Sequence, residues 1–198
     1  MHQTEAVSFG LAAGTTEMEW AAPEPWRVTL VETGLTTQTG GRIRRIARWV
    51  AGEEAFCLTY GDGVADIDVT ALVAQHRAAG RLATMTAVTP PGRFGAVELD
   101  GGRVTRFVEK PSGGDGQTIN GGFFVLSPKV CDYIADDETV WEQEPLRRLA
   151  AEGQLQAFPH HGFWQPMDTL REREILEAHC AVGTPPWLRP PGEPAGKA

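Results

Sequence analysis

Residues 55–68 read AFCLTYGDGVADID: a largely apolar run from Ala55 to Tyr60, a Gly61-Asp62-Gly63 break, then a polar stretch ending at Asp68. The run is too short for an ordinary helix, and with a glycine at its end it predicts a strand. A continuous apolar strand of this kind suits a parallel sheet covered on both faces. Ligands of open α/β sheets bind beyond the carboxyl ends of the strands, so Asp62 stands where a site is expected.

Outward from this stretch the pattern alternates. Before it, VTLVE (28–32) reads as a strand, LTTQTGG (35–41) as a polar linker, and RIRRIARWV (42–50) as a helix with Ile43, Ile46, Ala47 and Val50 on one face. After it, VTALVAQHRAAG (69–80) reads as an amphipathic helix closed by Gly80, and LATMTAV (82–88) as a strand. Strands and helices in turn define an α/β fold, Rossmann-like, with a mainly parallel sheet. The sheet is expected to be mixed, because GAVELDGGRVTRFVEK (95–110) carries a hairpin signal at Asp100-Gly101-Gly102. INGGFFVL (119–126) follows as a strand, with Ser127 and Pro128 placed to open a short helix, and EPLRRLAAEG (144–153) is a helix ended by Gly153. LQAFPHHGFW (155–164) reads as a last strand leading into a helix over WQPMDTLREREILEAHCA (164–181). Residues 1–25 suggest a hairpin around Gly14-Thr15-Thr16, and the Pro- and Gly-rich residues 189–198 a flexible tail.

Composition narrows the partners. With 41% apolar and 22% charged residues, 198 residues make one globular domain. A formal charge of -8 with no cluster of Lys and Arg disfavours nucleic acid. Cys57, Cys131 and Cys180 are odd in number and widely spaced, which predicts reduced thiols in a cytoplasmic protein. No leader pattern and no long apolar run points to a membrane. There is no GxxxxGK[ST] loop and no nucleophile elbow, so neither a P-loop kinase nor a serine hydrolase has support.

Several residues carry candidate chemistry, each beside a plainer reading. Asp62 between two glycines suits a magnesium ion near a phosphate, or an ordinary turn. Asp168 offers a second carboxylate from another strand exit for the same metal, or caps the following helix. Glu109 and Lys110, stopped by Pro111, suit a sugar hydroxyl and a phosphate, or form a solvated strand end. Asn120 followed by Gly121 and Gly122 lets a small ligand lie against the backbone, or marks a bulge. His160-His161 reads as a strand-end pair, without the partners of a metal site.

PWRVTLVETG, TQTGGRI, YGDGVAD, PPGRFGAV, FVEKP, INGGFFVL, WEQEPL and GFWQPMDTLRE follow one another from Pro25 onward. In that order they resemble bacterial glucose-1-phosphate cytidylyltransferases, and the resemblance runs to Trp187. It implies a nucleotide-diphospho-sugar transferase fold and the joining of CTP and glucose 1-phosphate to CDP-glucose and pyrophosphate, an early step toward the deoxysugars of surface polysaccharides such as O-antigen. It further implies magnesium held by Asp62 and Asp168, Lys110 at the sugar phosphate, Glu109, Asn120 and Gly121 at the glucose, and Gln38, Gly40 and Gly41 near the nucleotide. The family's tendency to assemble, with aromatic residues such as Trp187 near the C-terminus, implies a homo-oligomer.

The family begins with a strand and a GGxGTRL loop that cradles the triphosphate, and this sequence contains neither. GLAAGTTE (10–17) has the glycines but no Arg or following Lys, and fits the hairpin instead. The expectation is an N-terminally truncated, partial nucleotidyltransferase domain over residues 1–188, whose full-length parent makes CDP-glucose. Two alternatives stay open: an inactive fragment or degenerate sugar-phosphate-binding module, and a pyrophosphorylase using UTP or dTTP.

Overall fold

The computed structural model describes residues 4–10, 15–20, 27–90, 96–100, 103–108, 118–183 and 185–188. They fall into two units, Met1–Glu32 and Thr33–Ala198. In the first, β1 (Thr4–Gly10) pairs antiparallel with β2 (Thr15–Trp20), Gly10 lying opposite Thr15. The expected strand over 28–32 does not form: residues 27–34 carry no secondary structure, and Val28 and Leu30 are 71% and 82% exposed. Apolar alternation gives a strand only where a partner closes its ladder, and no described strand pairs with this segment.

The second unit is built on a four-stranded sheet. Its strands are β3 (Phe56–Thr59), β5 (Ala83–Val88), β8 (Ile119–Leu126) and β9 (Leu155–His160), in the order β3-β8-β5-β9. β5 and β9 are parallel, and β8 runs antiparallel to both β3 and β5. Three strands therefore point one way and one is reversed, so the sheet is mixed as the sequence predicts, but the reversed strand is β8 and not the hairpin over 95–110. The expectation of a hairpin at Asp100-Gly101-Gly102 is met by β6 (Ala96–Asp100) and β7 (Arg103–Val108), which pair with each other and not with the main sheet.

Helices cover both faces. Period-two alternation along β8 sends Phe124 and Leu126 to one side, where they meet Ile43, Val130, Trp141, Leu146 and Leu149. These come from α1 (Thr39–Arg45), the 3-10 turn Pro128–Tyr133, the turn at 141–143 and α4 (Glu144–Ala151). Val125 and Phe123 face the other side, against Leu72 and Val73 of α3 (Val69–Ala79). Asp68 caps α3, and Gly80 ends it at φ +59, the left-handed conformation glycine adopts freely.

Three expectations are corrected here. β3 is not covered on both faces: it lies at the end of the sheet, and Cys57 and Thr59 are exposed. The doubly covered strand is β5, where Ala83, Thr84, Thr86, Ala87 and Val88 are all buried. The helix over 42–50 breaks at Ile46, giving α1 and the short α2 (Ala47–Val50). The strand expected over 155–164 is two: after β9 the chain turns at 161–163 and β10 (Trp164–Pro166) pairs with β4 (Gly63–Ala65). The ring of Trp187 packs on Phe163 and His179 of its own chain at centroid distances of 5.5 and 6.1 Å.

Under α3 the imidazole of His76 is 5% exposed, with Nδ1 2.9 Å from Thr84 Oγ1. Burial holds its pKa below the usual imidazole value. The unfolded chain thus takes up a proton that the folded one resists, and stability is expected to be flat above pH 6.5 and to fall below it. Urea unfolding at several pH values reads this slope, and His76→Gln is expected to flatten it.

Candidate functional site

The antiparallel pairing of β4 with β10 decides the site. It sets Gly63 opposite Pro166, and Met167 N–H donates to the Asp62 carbonyl at 2.7 Å. The two segments that carry Asp62 and Asp168 are thereby held side by side. Both carboxylates line a cavity of about 250 Å³ together with Tyr60, Asn120, Gly121 and Trp164. Four candidate residues, far apart in sequence, share one pocket at the sheet's edge.

Asp168 does not cap the following helix. The N-cap of α5 (Leu170–Ala181) is Thr169, whose Oγ1 accepts from Glu172 N–H, while Glu172 accepts from the Thr169 and Asp168 amides, a complete capping box. The Asp168 carboxylate takes no part in it. Neither Asp62 nor Asp168 makes a side-chain hydrogen bond or ion pair with another described residue, so both anions remain available to a ligand. Among the described residues no three His, Cys, Asp or Glu side chains cluster as a self-sufficient metal site. Two carboxylates from two loops fit an oxygen-loving cation that draws its other ligands from phosphate and water, as magnesium does.

Asn120 sits where β8 is irregular. Between the pairs Met85–Phe124 and Ala87–Asn120, β8 advances four residues while β5 advances two. The bulge is real, and it lies in the pocket wall, where bulges re-aim side chains. Asn120 Oδ1 accepts from Gly122 N–H at 2.8 Å, and its Nδ2 donates to Tyr60 Oη at 3.1 Å. Tyr60 donates to Glu142 Oε1 at 2.5 Å. Burial, then that hydrogen bond and the charge of Glu142, push the phenol pKa above its usual range, so Tyr60 keeps its proton. Trp164 Nε1 donates to the Gly121 carbonyl at 2.8 Å, tying β10 to the bulge.

Gln38, Gly40 and Gly41 do not line this pocket. Gln38 is exposed at the start of α1, and both glycines are buried. Their smallness answers to packing: a Cβ on Gly40 would lie 2.6 Å from the Thr139 carbonyl oxygen, and one on Gly41 2.6 Å from Asp137 Cα. Glu109 and Lys110 lie outside the described residues, as does the tail from 189. His160 Nε2 lies 3.0 Å from Asp66 Oδ1 and 3.1 Å from the Phe163 carbonyl oxygen, a clasp that closes the turn between β9 and β10. The partner that the sequence did not suggest for it is Asp66. Tyr60, Glu142 and Trp164 were not singled out by sequence either. Their one signal is position, inside YGDGVAD, WEQEPL and GFWQPMDTLRE.

The model of the nucleotidyl transferase family (Nucleotidyl transferase) matches residues 28–182. The chain is 53% identical to the glucose-1-phosphate cytidylyltransferase of Salmonella typhi over 94% of its length and 72% of the relative's. It is 43% identical to the probable glucose-1-phosphate cytidylyltransferase of Bacillus subtilis over 87% of its length, covering 66% of that protein. The chain belongs to the glucose-1-phosphate cytidylyltransferase family of sugar nucleotidyl transferases. Its fold is also that of HddC from Yersinia pseudotuberculosis, with a TM-score of 0.52 at 20% identity over 70% of this chain. The chain spans 60% of that solved structure.

Proposed function

We propose that the protein transfers a cytidylyl group from CTP to glucose 1-phosphate, giving CDP-glucose and pyrophosphate. The observation that carries this reading is the meeting of Asp62, Asp168 and Asn120 in one pocket, in a chain so close to cytidylyltransferases. A phosphate oxygen of glucose 1-phosphate attacks the α-phosphorus of CTP as the bond to the β-phosphate oxygen breaks. Two anions must approach for this, and offsetting their repulsion is the main task of the site. Asp62 and Asp168 would hold a magnesium ion, which supplies that charge neutralisation when bound. Asn120, beside Gly121, donates to a glucose hydroxyl, Glu109 accepts from another, and Lys110 meets the sugar phosphate. Gln38, with Gly40 and Gly41 behind it, forms the nucleotide side. No covalent intermediate is needed. The product feeds deoxysugar synthesis for surface polysaccharide in the cytoplasm, and among the described residues no helix is long and apolar enough to cross a membrane.

The test is pyrophosphate release from the protein given magnesium and glucose 1-phosphate, with CTP, UTP and dTTP compared. Release is expected to be fastest with CTP. Faster release with UTP or dTTP would overturn the base assignment. No release, together with measurable glucose 1-phosphate binding, would leave a sugar-phosphate-binding module.

A further inference from the structure

One carboxylate near the site has no part in the chemistry above. Glu142 lies in the turn before α4 and does not line the pocket. Both of its oxygens are nevertheless occupied. Oε1 accepts from Tyr60 Oη at 2.5 Å and Oε2 from Thr39 Oγ1 at 2.7 Å. Thr39 Oγ1 accepts in turn from Trp141 N–H at 2.9 Å, so its single proton is free to point at Glu142.

The direction of every bond in this chain follows from one property of Glu142, that an ionised carboxylate only accepts. Tyr60 must give its proton to Glu142 and therefore presents lone pairs to Asn120. The Asn120 amide answers with an N–H, while its oxygen is held by the Gly122 amide at 2.8 Å. Its orientation is thus fixed at both ends. The second N–H of Asn120 has no partner among the described residues, and Asn120 lines the pocket. Were Tyr60 to turn its proton toward Asn120, the amide would have to flip, and the Gly122 amide would then face an NH2 group.

We infer that Glu142 is a positioning residue: acting through Tyr60, it locks the Asn120 amide as a hydrogen-bond donor to a hydroxyl of the bound sugar phosphate. Glu142 itself touches no substrate. Thr39 steadies its second oxygen but has no part in orienting Asn120. The inference rests on the reading that Asn120 meets the sugar, and its test separates the two.

Leucine at 142 accepts no hydrogen bond, so Tyr60 loses the partner that takes its proton and can turn it toward Asn120. The full chain and its variants are titrated with glucose 1-phosphate by calorimetry. Glu142→Leu and Tyr60→Phe are each expected to raise the dissociation constant about tenfold, the size of one hydrogen bond to an oriented donor. In an Asn120→Ala background neither is expected to add anything, because both act through Asn120. Thr39→Val, which cuts the same tie between α1 and Glu142, is expected to bind the sugar phosphate as the unaltered chain does. Equal weakening by Thr39→Val and Glu142→Leu would mean that Glu142 is only a staple, and would overturn the inference. So would additivity with Asn120→Ala. If the unaltered chain binds no glucose 1-phosphate, the substrate reading fails, and the relay is judged on the ligand-free protein. There the side-chain amide of Asn120 is expected to give two fixed 15N–H signals that shift and broaden in Tyr60→Phe and Glu142→Leu. Unchanged signals would overturn the relay on their own.

Discussion

Asp168→Asn is expected to lower CTP-dependent pyrophosphate release about a thousandfold or more, the scale of losing a preorganised charge contact at a reacting centre. The unfolding midpoint is expected to stay where it is. The reason is the division of labour at the start of α5. Thr169 and Glu172 form the capping box by themselves, and the Asp168 side chain takes no part. Removing its charge deletes a ligand and leaves the helix intact. Thr169→Ala supplies the opposite result: it removes the N-cap at a cost of about 1 kcal/mol in stability, with the rate little changed. Asp62→Asn is expected to match Asp168→Asn, since the Met167 amide bonds the Asp62 carbonyl and not its side chain. Turnover and thermal unfolding, measured on all three variants, separate the roles. A loss of stability without loss of rate in Asp168→Asn would return that residue to the helix cap.

What the sequence could show depended on how local the cause was. The helix over 69–80 was legible because its apolar face and its closing glycine both lie within it. The strands 83–88 and 119–126 were legible for the same reason, being apolar in themselves. The segment 28–32 misled because alternation describes a surface that suits a sheet, while the ladder depends on a partner elsewhere in the chain. β3 misled in the same way: Phe56, Cys57 and Leu58 are apolar, yet the sheet ends there. The candidate site was half legible. Asp62 and Asn120 announced themselves through their glycines, and Asp168 through its place at a strand exit. That Asp62 and Asp168 share a pocket is a consequence of β4 pairing with β10, two three-residue strands about 100 residues apart that no periodicity reveals, and Asn120 joins them because β8 pairs with β3. Glu142 was illegible for a related reason. It works through Tyr60, 82 positions away, and a lone exposed Glu before a helix reads as a solvated first turn.

Gly122→Ala is expected to have the second-largest effect, on fold and site together. Gly122 holds φ at +77, and an added Cβ would lie 2.7 Å from Cδ2 of the Tyr60 ring. The left-handed backbone costs a residue with a Cβ roughly 1–2 kcal/mol. Overpacking against a ring adds about 1–3 kcal/mol, so a loss of about 2–5 kcal/mol is expected. The ring cannot move away freely, because it stacks edge-on against Phe124, which stacks in turn on the fully buried Trp141. A displaced Tyr60 also loses its hold on Asn120, so glucose 1-phosphate binding is expected to weaken beyond what partial unfolding explains. Gly61 provides the contrast. A Cβ there meets nothing within 4 Å, so Gly61→Ala is expected to leave stability within about 0.5 kcal/mol. Urea unfolding and sugar-phosphate titration of the two variants distinguish a glycine required by packing from one required by a ligand. If Gly61→Ala keeps its stability but loses binding, the two glycines serve different purposes, Gly122 making room for Tyr60 and Gly61 for the ligand itself.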